Sequence, residues 1–204
     1  FHIKHDSAPA GRTVRILAVQ PSVPQTLIWS PSEDEKRFAE LLAVSQQAMT
    51  NQPDLLLWPE SAVPMFNGVY SLVSRFGQTN GVFILFNGDD AAFKPDATNY
   101  FNSAFLMRPD GICSDVYHKQ KLVIFGEYVP LADSLPFIKW LTPITGSFSA
   151  GTNAAQFHLR DLDLKAAPLI CFEDCFPQAR DHVTDDTDLL VNLTNDGWFG
   201  EGAE

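Results

Sequence analysis

Cysteine is scarce in this sequence, and its placement excludes two classes of protein. The three cysteines, Cys113, Cys171 and Cys175, cannot form an even set of disulfides. The chain also has no Cys-x-x-Cys pair and no His-Glu-x-x-His segment, the spacings that typically hold a metal. We therefore expect neither a disulfide scaffold nor a metal site, and the sequence indicates no cofactor.

Positive charge is also scarce. The chain has 14 Lys and Arg residues against 25 Asp and Glu residues, which gives a net charge of -11. Proteins that bind nucleic acid neutralise phosphates with a basic surface, and this chain has no basic tract interleaved with aromatic residues. A nucleic-acid partner is not expected.

No apolar run approaches the length of a membrane span. Residues 82–86 form one of the longest runs, whereas a helix that crosses a bilayer needs about 20 apolar residues. The isolated chain is therefore expected to be soluble. Because it starts at Phe1 without a methionine, we expect a domain of a longer protein.

The chain contains enough apolar sequence for one globular domain, with 45% hydrophobic residues among 204. Strand patterns alternate with helix patterns, which predicts a layered α/β fold. One predicted helix begins at a Ser-x-x-Glu capping box in residues 32–35. Two further helices are predicted at 69–76 and 177–183. The predicted strands and hairpins lie at residues 14–20, 54–58, 82–86, 103–117, 157–171 and 189–193.

Three of the predicted strands are each followed by a reactive side chain. Glu60 follows the strand at 54–58, and Lys119 and Cys171 follow the second strands of the two hairpins. Open α/β sheets gather ligands and chemistry at the carboxyl ends of their strands. The three side chains are therefore predicted to meet in one cleft.

Cys171 is the candidate nucleophile of this cleft. A cysteine between a strand and a helix lies where backbone N–H groups and the helix dipole stabilise a thiolate. The alternative is a small buried core residue, and core packing is the expectation for Cys113 and Cys175.

Glu60 and Lys119 suit the two other roles that a cysteine nucleophile requires. Glu60 follows three leucines and a tryptophan, and a carboxylate in apolar surroundings suits a general base. Lys119 places positive charge where an oxyanion develops. The alternatives are a surface carboxylate and an exposed loop lysine, and neighbouring Lys121 is a rival. These residues indicate an enzyme that attacks a carbonyl group.

The ordered Glu, Lys and Cys segments resemble the nitrilase, or carbon-nitrogen hydrolase, superfamily, whose fold is an α-β-β-α sandwich. The Tyr-x-Lys spacing implies Lys119 rather than Lys121 as the catalytic lysine. Further segments resemble the extracytoplasmic domain of one of its branches, the apolipoprotein N-acyltransferases. These segments are residues 20–25, 58–64, 117–119, 125–130 and 195–200.

The resemblance implies a role for each residue of the trio. Glu60 is the base, Cys171 forms a thioester with a phospholipid acyl group, and Lys119 stabilises the oxyanion. The acyl group then passes to the amine of the N-terminal cysteine of an apolipoprotein, a step in lipoprotein maturation.

The resemblance also implies supporting residues and a location. Glu127 supports Lys119, Glu173 supports the nucleophile, and Trp29 lies on the substrate side. Residues 1–13 are a tail or linker from a preceding membrane segment, and residues 14–204 are the hydrolase domain without its C-terminal part. The expected location is the periplasmic side of a bacterial inner membrane.

Residues 124–153 lack a clear period and are dense in aromatic and aliphatic side chains for a proline-broken loop. Exposed, they form a lid that faces a membrane or an acyl chain, and packed inward they form a satellite core; both interpretations stay open. Two rival functions also stay open. One is a soluble nitrilase-family amidase that uses water as acceptor, and the other is a non-catalytic module on the same fold.

Overall fold

The computed structural model describes residues 13–28, 30–93, 98–124, 126–128, 148–195 and 197. Its α-helices are α1 (Gln25–Ile28), α2 (Asp34–Ala48) and α3 (Val69–Asn80). Short 3-10 segments lie at Pro31–Glu33, Met49–Asn51, Arg160–Leu162, Cys171–Cys175 and Pro177–His182. The strands are β1 (Ile16–Ala18), β2 (Leu55–Trp58), β3 (Phe83–Phe93), β4 (Thr98–Met107), β5 (Cys113–His118), β6 (Phe157–Leu159), β7 (Leu164–Ile170) and β8 (Leu189–Leu193).

The strands form two sheets. The first has the order β1-β2-β3-β4-β5, with β1, β2 and β3 parallel and β4 and β5 added as antiparallel hairpin strands. Two reversals return β5 to the direction of β2, so both strands end at the same edge. The second sheet has the order β6-β7-β8, with β6 antiparallel and β8 parallel to β7.

The two sheets pack face to face. Successive side chains of a strand point to opposite faces, so alternate residues of β2 and β3 enter the space between the sheets. Leu85 of β3 and Ile170 of β7 are both fully buried there. Burying one leucine or isoleucine side chain contributes about 1.5 to 3 kcal/mol, so this face is a main source of stability.

Helices α2 and α3 cover the opposite face of the five-stranded sheet. Phe38 of α2 and Phe76 of α3 both pack near Trp58 of β2. The indole nitrogen of Trp58 donates a hydrogen bond to the hydroxyl of Ser45 at 3.0 Å, which satisfies its buried N–H group. The layers α-β-β follow the prediction. In the described part of the chain after β6 there are 3-10 segments but no α-helix, so the second α layer is not seen there.

Both predicted hairpins are confirmed, but several boundaries differ. The capping box at Ser32 is wrong: Pro31 begins a 3-10 turn, and α2 starts at Asp34 with no side-chain cap. Strand β3 runs well past residue 86 because β4 pairs with it as far as Phe93 and Thr98. Strand β1 is shorter than predicted, and the segment at 177–183 is a 3-10 helix.

None of the helices in the described ranges has the length and apolar character needed to cross a membrane.

Candidate active site

Glu60 lies two residues beyond the end of β2, and only 8% of its surface is exposed. Its Oε1 accepts a hydrogen bond from Nζ of Lys119 at 3.4 Å. Its other oxygen, Oε2, is buried and has no nitrogen or oxygen donor within hydrogen-bonding distance among the described residues. The next residue, Ser61, has a φ of 60° in the left-handed region, so the chain turns sharply just after the carboxylate.

Lys119 directly follows β5 and is 1% exposed. Its backbone N–H donates to the carbonyl of Asn102 at 2.8 Å, and its carbonyl accepts from the N–H of Gly151 at 2.8 Å. Burial works against the charge on Nζ, but Glu60 and Glu127 outweigh it, so the pKa of Lys119 lies above its ordinary value. The lysine is therefore a buried ammonium ion held by two carboxylates.

Glu127 is the second of these carboxylates. Its Oε1 accepts from Nζ of Lys119 at 2.9 Å, closer than Glu60 does. Its Oε2 accepts from the backbone N–H of Val123 at 2.8 Å, which closes the turn that carries it. Both oxygens of Glu127 thus accept hydrogen bonds, whereas Oε2 of Glu60 accepts none from the described residues.

Cys171 follows the last residue of β7 and has a φ of 53°, again in the left-handed region that non-glycine residues rarely adopt. The side-chain amide of Asn192 donates to its carbonyl oxygen at 3.0 Å and supports this turn. Strained backbone of this kind is common at functional sites, where the surrounding structure holds one conformation.

The thiol of Cys171 is not poised as a thiolate. Burial raises its pKa, and the charge of Glu60 raises it further, while Lys119 and a hydrogen bond with Thr194 lower it, with a net value of about 11. The expected stabilisation by a helix dipole is wrong, because a five-residue 3-10 segment rather than an α-helix follows the cysteine. A protonated thiol needs a base, and Glu60 is the carboxylate beside it.

Glu173 joins the turn at Cys171 to the loop at Lys119 and is 3% exposed. Its Oε2 accepts from the N–H of Ile170 at 2.9 Å, just before the cysteine. Its Oε1 accepts from the Tyr117 hydroxyl and the Gln120 N–H, each at 2.7 Å, and from the Lys121 N–H at 3.1 Å. It therefore acts on the position of the cluster rather than on its chemistry.

Two asparagines that the sequence analysis did not single out complete the cluster. Asn102 of β4 donates to Oε1 of Glu127 at 2.6 Å and to Oε1 of Glu60 at 3.3 Å. Asn87 of β3 donates to Oδ1 of Asn102 at 2.5 Å. Asn87 follows the predicted strand at 82–86, so the rule about the carboxyl ends of strands applies to it. Asn102 precedes the predicted hairpin at 103–117, so that rule does not reach it.

The remaining candidates lie elsewhere. Lys121 is not in the cluster; its Nζ lies 5.8 Å from the centre of the Phe176 ring. Cys113 and Cys175 are exposed free thiols, so the expected core packing is wrong for both. Trp29, residues 129–147 of the long loop and most of the segment 195–200 lie outside the described residues. Over the described ranges, no group of three His, Cys, Asp or Glu side chains is arranged to hold a metal ion.

Comparison with curated proteins finds similarity to apolipoprotein N-acyltransferases. That of Geobacter metallireducens is 36% identical over 212 residues, which cover 100% of this chain and 39% of the relative. Those of Rickettsia typhi and Pseudomonas putida are 30% and 31% identical and cover 93% and 95% of this chain, each over 38% of the relative. The chain thus spans about two fifths of the length of these relatives.

Among solved structures, the fold matches that of an amidase from Nesterenkonia sp. The TM-score is 0.63 at 15% sequence identity, over 89% of this chain and 64% of the amidase. A mutant of that amidase, which carries the acetamide moiety of fluoroacetamide on its active-site cysteine, has a TM-score of 0.64 at 15% identity, over 91% of this chain and 66% of its own. The sequence model of the carbon-nitrogen hydrolase family matches residues 15–203. The chain therefore belongs to the carbon-nitrogen hydrolase family.

Proposed function

We propose that this chain is the catalytic domain of an N-acyltransferase that matures lipoproteins. The acyl donor is a phospholipid, and the acceptor is the α-amine of the N-terminal cysteine of an apolipoprotein. One observation carries the proposal: a protonated thiol at the half-buried Cys171 lies in one cluster with the buried carboxylate of Glu60 and the buried ammonium ion of Lys119. The names of the curated relatives support this choice of donor and acceptor.

The first half of the reaction makes a thioester. Glu60 takes the proton of the Cys171 thiol as Sγ attacks the carbonyl carbon of the phospholipid ester. The tetrahedral intermediate then expels the glycerol oxygen, which receives the proton from Glu60. The products are a lysophospholipid and an acyl group on Cys171. With a thiol pKa of about 11, only about one thiol in ten thousand is ionised at pH 7. The rate of thioester formation therefore depends on the base.

Lys119 stabilises the negative charge that develops on the attacked carbonyl oxygen. A buried ammonium ion has a stronger effect than one in water, and it needs no reorganisation during the reaction. Glu127 keeps this ammonium ion in place through its 2.9 Å hydrogen bond. Glu127 is therefore a positioning residue for Lys119.

The second half of the reaction transfers the acyl group. The amine of the acceptor attacks the thioester carbon, Glu60 takes the amine proton, and the sulfur leaves and is reprotonated. This is a ping-pong reaction through a covalent acyl-enzyme. An amidase differs in both substrates: its acyl donor is an amide that leaves as an amine or ammonia, and water in place of the acceptor amine attacks the acyl-enzyme.

A lipid donor requires this domain to work next to a membrane, and we propose the periplasmic side of the bacterial inner membrane. Phe172 and Phe176, which follow the nucleophile by one and five residues, are 50% and 38% exposed and pack edge to face. An exposed aromatic pair beside the thiol suits an apolar substrate better than a small polar amide. We assign Trp29 and the loop at 124–153 to the substrate side of the same site.

Mass spectrometry of the intact protein tests the proposal. Incubated with phosphatidylethanolamine vesicles, the protein should gain an acyl group on the peptide that holds Cys171. The variant Cys171→Ala should gain none, whereas Cys175→Ala, which removes an exposed cysteine four residues away, should be acylated normally. Addition of a peptide with a lipidated N-terminal cysteine should discharge the thioester to an amide.

Two results would overturn the proposal. Acylation of another cysteine would remove the assigned nucleophile, and acylation of none in folded protein would favour a non-catalytic module. Discharge to free fatty acid at the same rate with and without the peptide would favour a hydrolase.

A further inference from the structure

A short chain of amides joins the two carboxylates of the cluster to the backbone beside the catalytic base. The amide nitrogen of Asn102 donates to Glu127 at 2.6 Å and to Glu60 at 3.3 Å. Its oxygen accepts from the amide nitrogen of Asn87 at 2.5 Å. The oxygen of Asn87 accepts from the backbone N–H of Ser61 at 2.9 Å. Both asparagines are buried, with 4% of the surface of Asn87 and 8% of that of Asn102 exposed.

The donor-to-acceptor direction of this series of amide hydrogen bonds is set at both of its ends. A backbone N–H can only donate, so the oxygen of Asn87 must face Ser61. The nitrogen of Asn87 then faces Asn102 and also donates to the carbonyl of Ser103 at 3.0 Å. An ionised carboxylate can only accept, so the nitrogen of Asn102 must face Glu60 and Glu127. Neither amide can turn over without placing two acceptors or two donors against each other.

We infer that Asn102 is a positioning residue for the base, and that Asn87 fixes the orientation in which it works. The inference rests on the proposed function, because it assigns Glu60 the role of base. Asn102 supplies N–H groups to both carboxylates beside the ammonium ion of Lys119 and so fixes their positions relative to it. Because its donor reaches Oε1 of Glu60, Oε2 is left for the proton of the thiol.

Asn87 extends this support to the backbone that holds the base. Ser61 is in the left-handed region with a φ of 60°, and its N–H is the group that Asn87 binds. Positive φ is unfavourable for serine and must be held by the surrounding structure. Asn87 thus acts on Glu60 by two routes, through Asn102 and through Ser61, although its hydrogen bonds go to neither carboxylate.

Asn87→Asp tests this inference because it changes one group without changing the shape of the side chain. The carboxylate of this variant keeps an oxygen toward Ser61 but replaces the donor to Asn102 with an acceptor. Asn102 must then turn over to donate toward residue 87, and its own oxygen meets the two carboxylates. Asn102→Asp should have the same effect directly, because it sets a third carboxylate against Glu60 and Glu127.

The readout is the pH dependence of Cys171 acylation by phosphatidylethanolamine vesicles in the intact protein. The ionisable groups next to the base are Cys171, Lys119 and Glu127. Asp89, which pairs with Asn102 in the ladder between β3 and β4, lies beside Glu127. Both variants should move the acid limb upward by about one pH unit, which is about a tenfold lower rate on that limb. The rates should converge with wild type at higher pH.

Asn99→Asp is the matched control, since it makes the same change three residues earlier in β4, and its profile should follow wild type. A wild-type profile for Asn87→Asp, or a loss by one factor at every pH, would overturn the inference and leave only a structural role. Iodoacetamide alkylation of Cys171 over the same pH range separates the two proposals. If wild type forms no acyl adduct but the alkylation limb still shifts in Asn87→Asp, the proposed function fails and the positioning role stands.

Discussion

The carboxylate of Glu173 accepts a hydrogen bond from the hydroxyl of Tyr117 at 2.7 Å, across the boundary between the two sheets. Tyr117 belongs to β5, which leads into Lys119, and Glu173 lies two residues after Cys171. Burial raises the pKa of the tyrosine and the charge of Glu173 raises it further, so the hydroxyl stays a donor. This hydrogen bond therefore joins the two sheets at the point where Lys119 and Cys171 meet.

Glu173→Gln should cost both stability and turnover. The carboxylate accepts from three backbone N–H groups as well as from Tyr117. A glutamine must turn its own N–H₂ toward at least one of these donors, and an unpaired buried donor costs about 1 to 3 kcal/mol. Urea unfolding should show this loss, and acylation of Cys171 should slow because Lys119 is displaced.

Tyr117→Phe is the milder control for this prediction. It removes one of the four hydrogen bonds to Glu173 and leaves the backbone donors paired. The expected loss is about 1 kcal/mol. If Glu173→Gln and Tyr117→Phe lowered the free energy of unfolding equally, the carboxylate would not be the group that joins the sheets.

Lys119→Met should destabilise the protein by about 3 to 5 kcal/mol at pH 8, because it leaves two buried carboxylates without their cation. As the pH falls, these carboxylates can take up protons, so the deficit relative to wild type should shrink toward pH 5. Lys121→Met is the matched control, since Lys121 lies over the Phe176 ring outside the cluster. Its effect should stay below about 1 kcal/mol and should not vary with pH.

Gly151→Ala should displace Lys119 by moving the backbone that is hydrogen-bonded to it. A Cβ at this position would lie 2.1 Å from the carbonyl oxygen of His118, so the backbone must move. The move would break the hydrogen bond from the N–H of Gly151 to the carbonyl of Lys119. We expect a loss of about 1 to 3 kcal/mol in thermal unfolding and a strong loss of acylation.

Gly77→Ala gives the opposite expectation in α3. Its Cβ would meet its nearest neighbours at 3.5 Å, which is ordinary contact. Because alanine has less freedom than glycine in the unfolded chain, this variant should be more stable by about 0.5 to 1 kcal/mol. A stable Gly151→Ala protein with normal acylation would contradict the role assigned to the tight contact.

The positions of Glu60, Lys119 and Cys171 could be predicted because each follows a strand, and the direction of a strand decides which edge its last residue reaches. Their pairing geometry could not. The predicted ionisation of Cys171 failed because it assumed a helix after the strand and did not include burial beside Glu60. Local sequence does not specify either effect, since both arise from contacts between distant segments.

The roles of Asn87 and Asn102 could not be predicted from local sequence either. Both border predicted strands, but a polar residue at a strand end is ordinary until its partners are known. Strand β3 continues to Phe93 because β4 pairs with it, and this extension brings the two amides to the level of the carboxylates. The extension depends on pairing along the whole hairpin, which the short apolar run at 82–86 does not reveal.

Asp89→Asn should make the protein more stable at pH 8. Burial raises the pKa of Asp89, and the charge of Glu127 raises it further, to about 6. The folded state therefore holds this proton more tightly than the unfolded state does. The resulting stability is present below about pH 4 and is lost as the pH rises through about 6, so at pH 8 the ionised group costs up to about 3 kcal/mol.

Asparagine cannot ionise, so Asp89→Asn avoids this cost at pH 8 and gains nothing at pH 4. Urea unfolding at the two pH values measures the difference. Asp181→Asn is the control, because Asp181 is an exposed carboxylate beside Arg180, and its effect should stay within about 0.5 kcal/mol at both pH values. If Asp89→Asn were instead less stable than wild type at pH 8, the ionised carboxylate would be contributing favourable contacts that outweigh its burial.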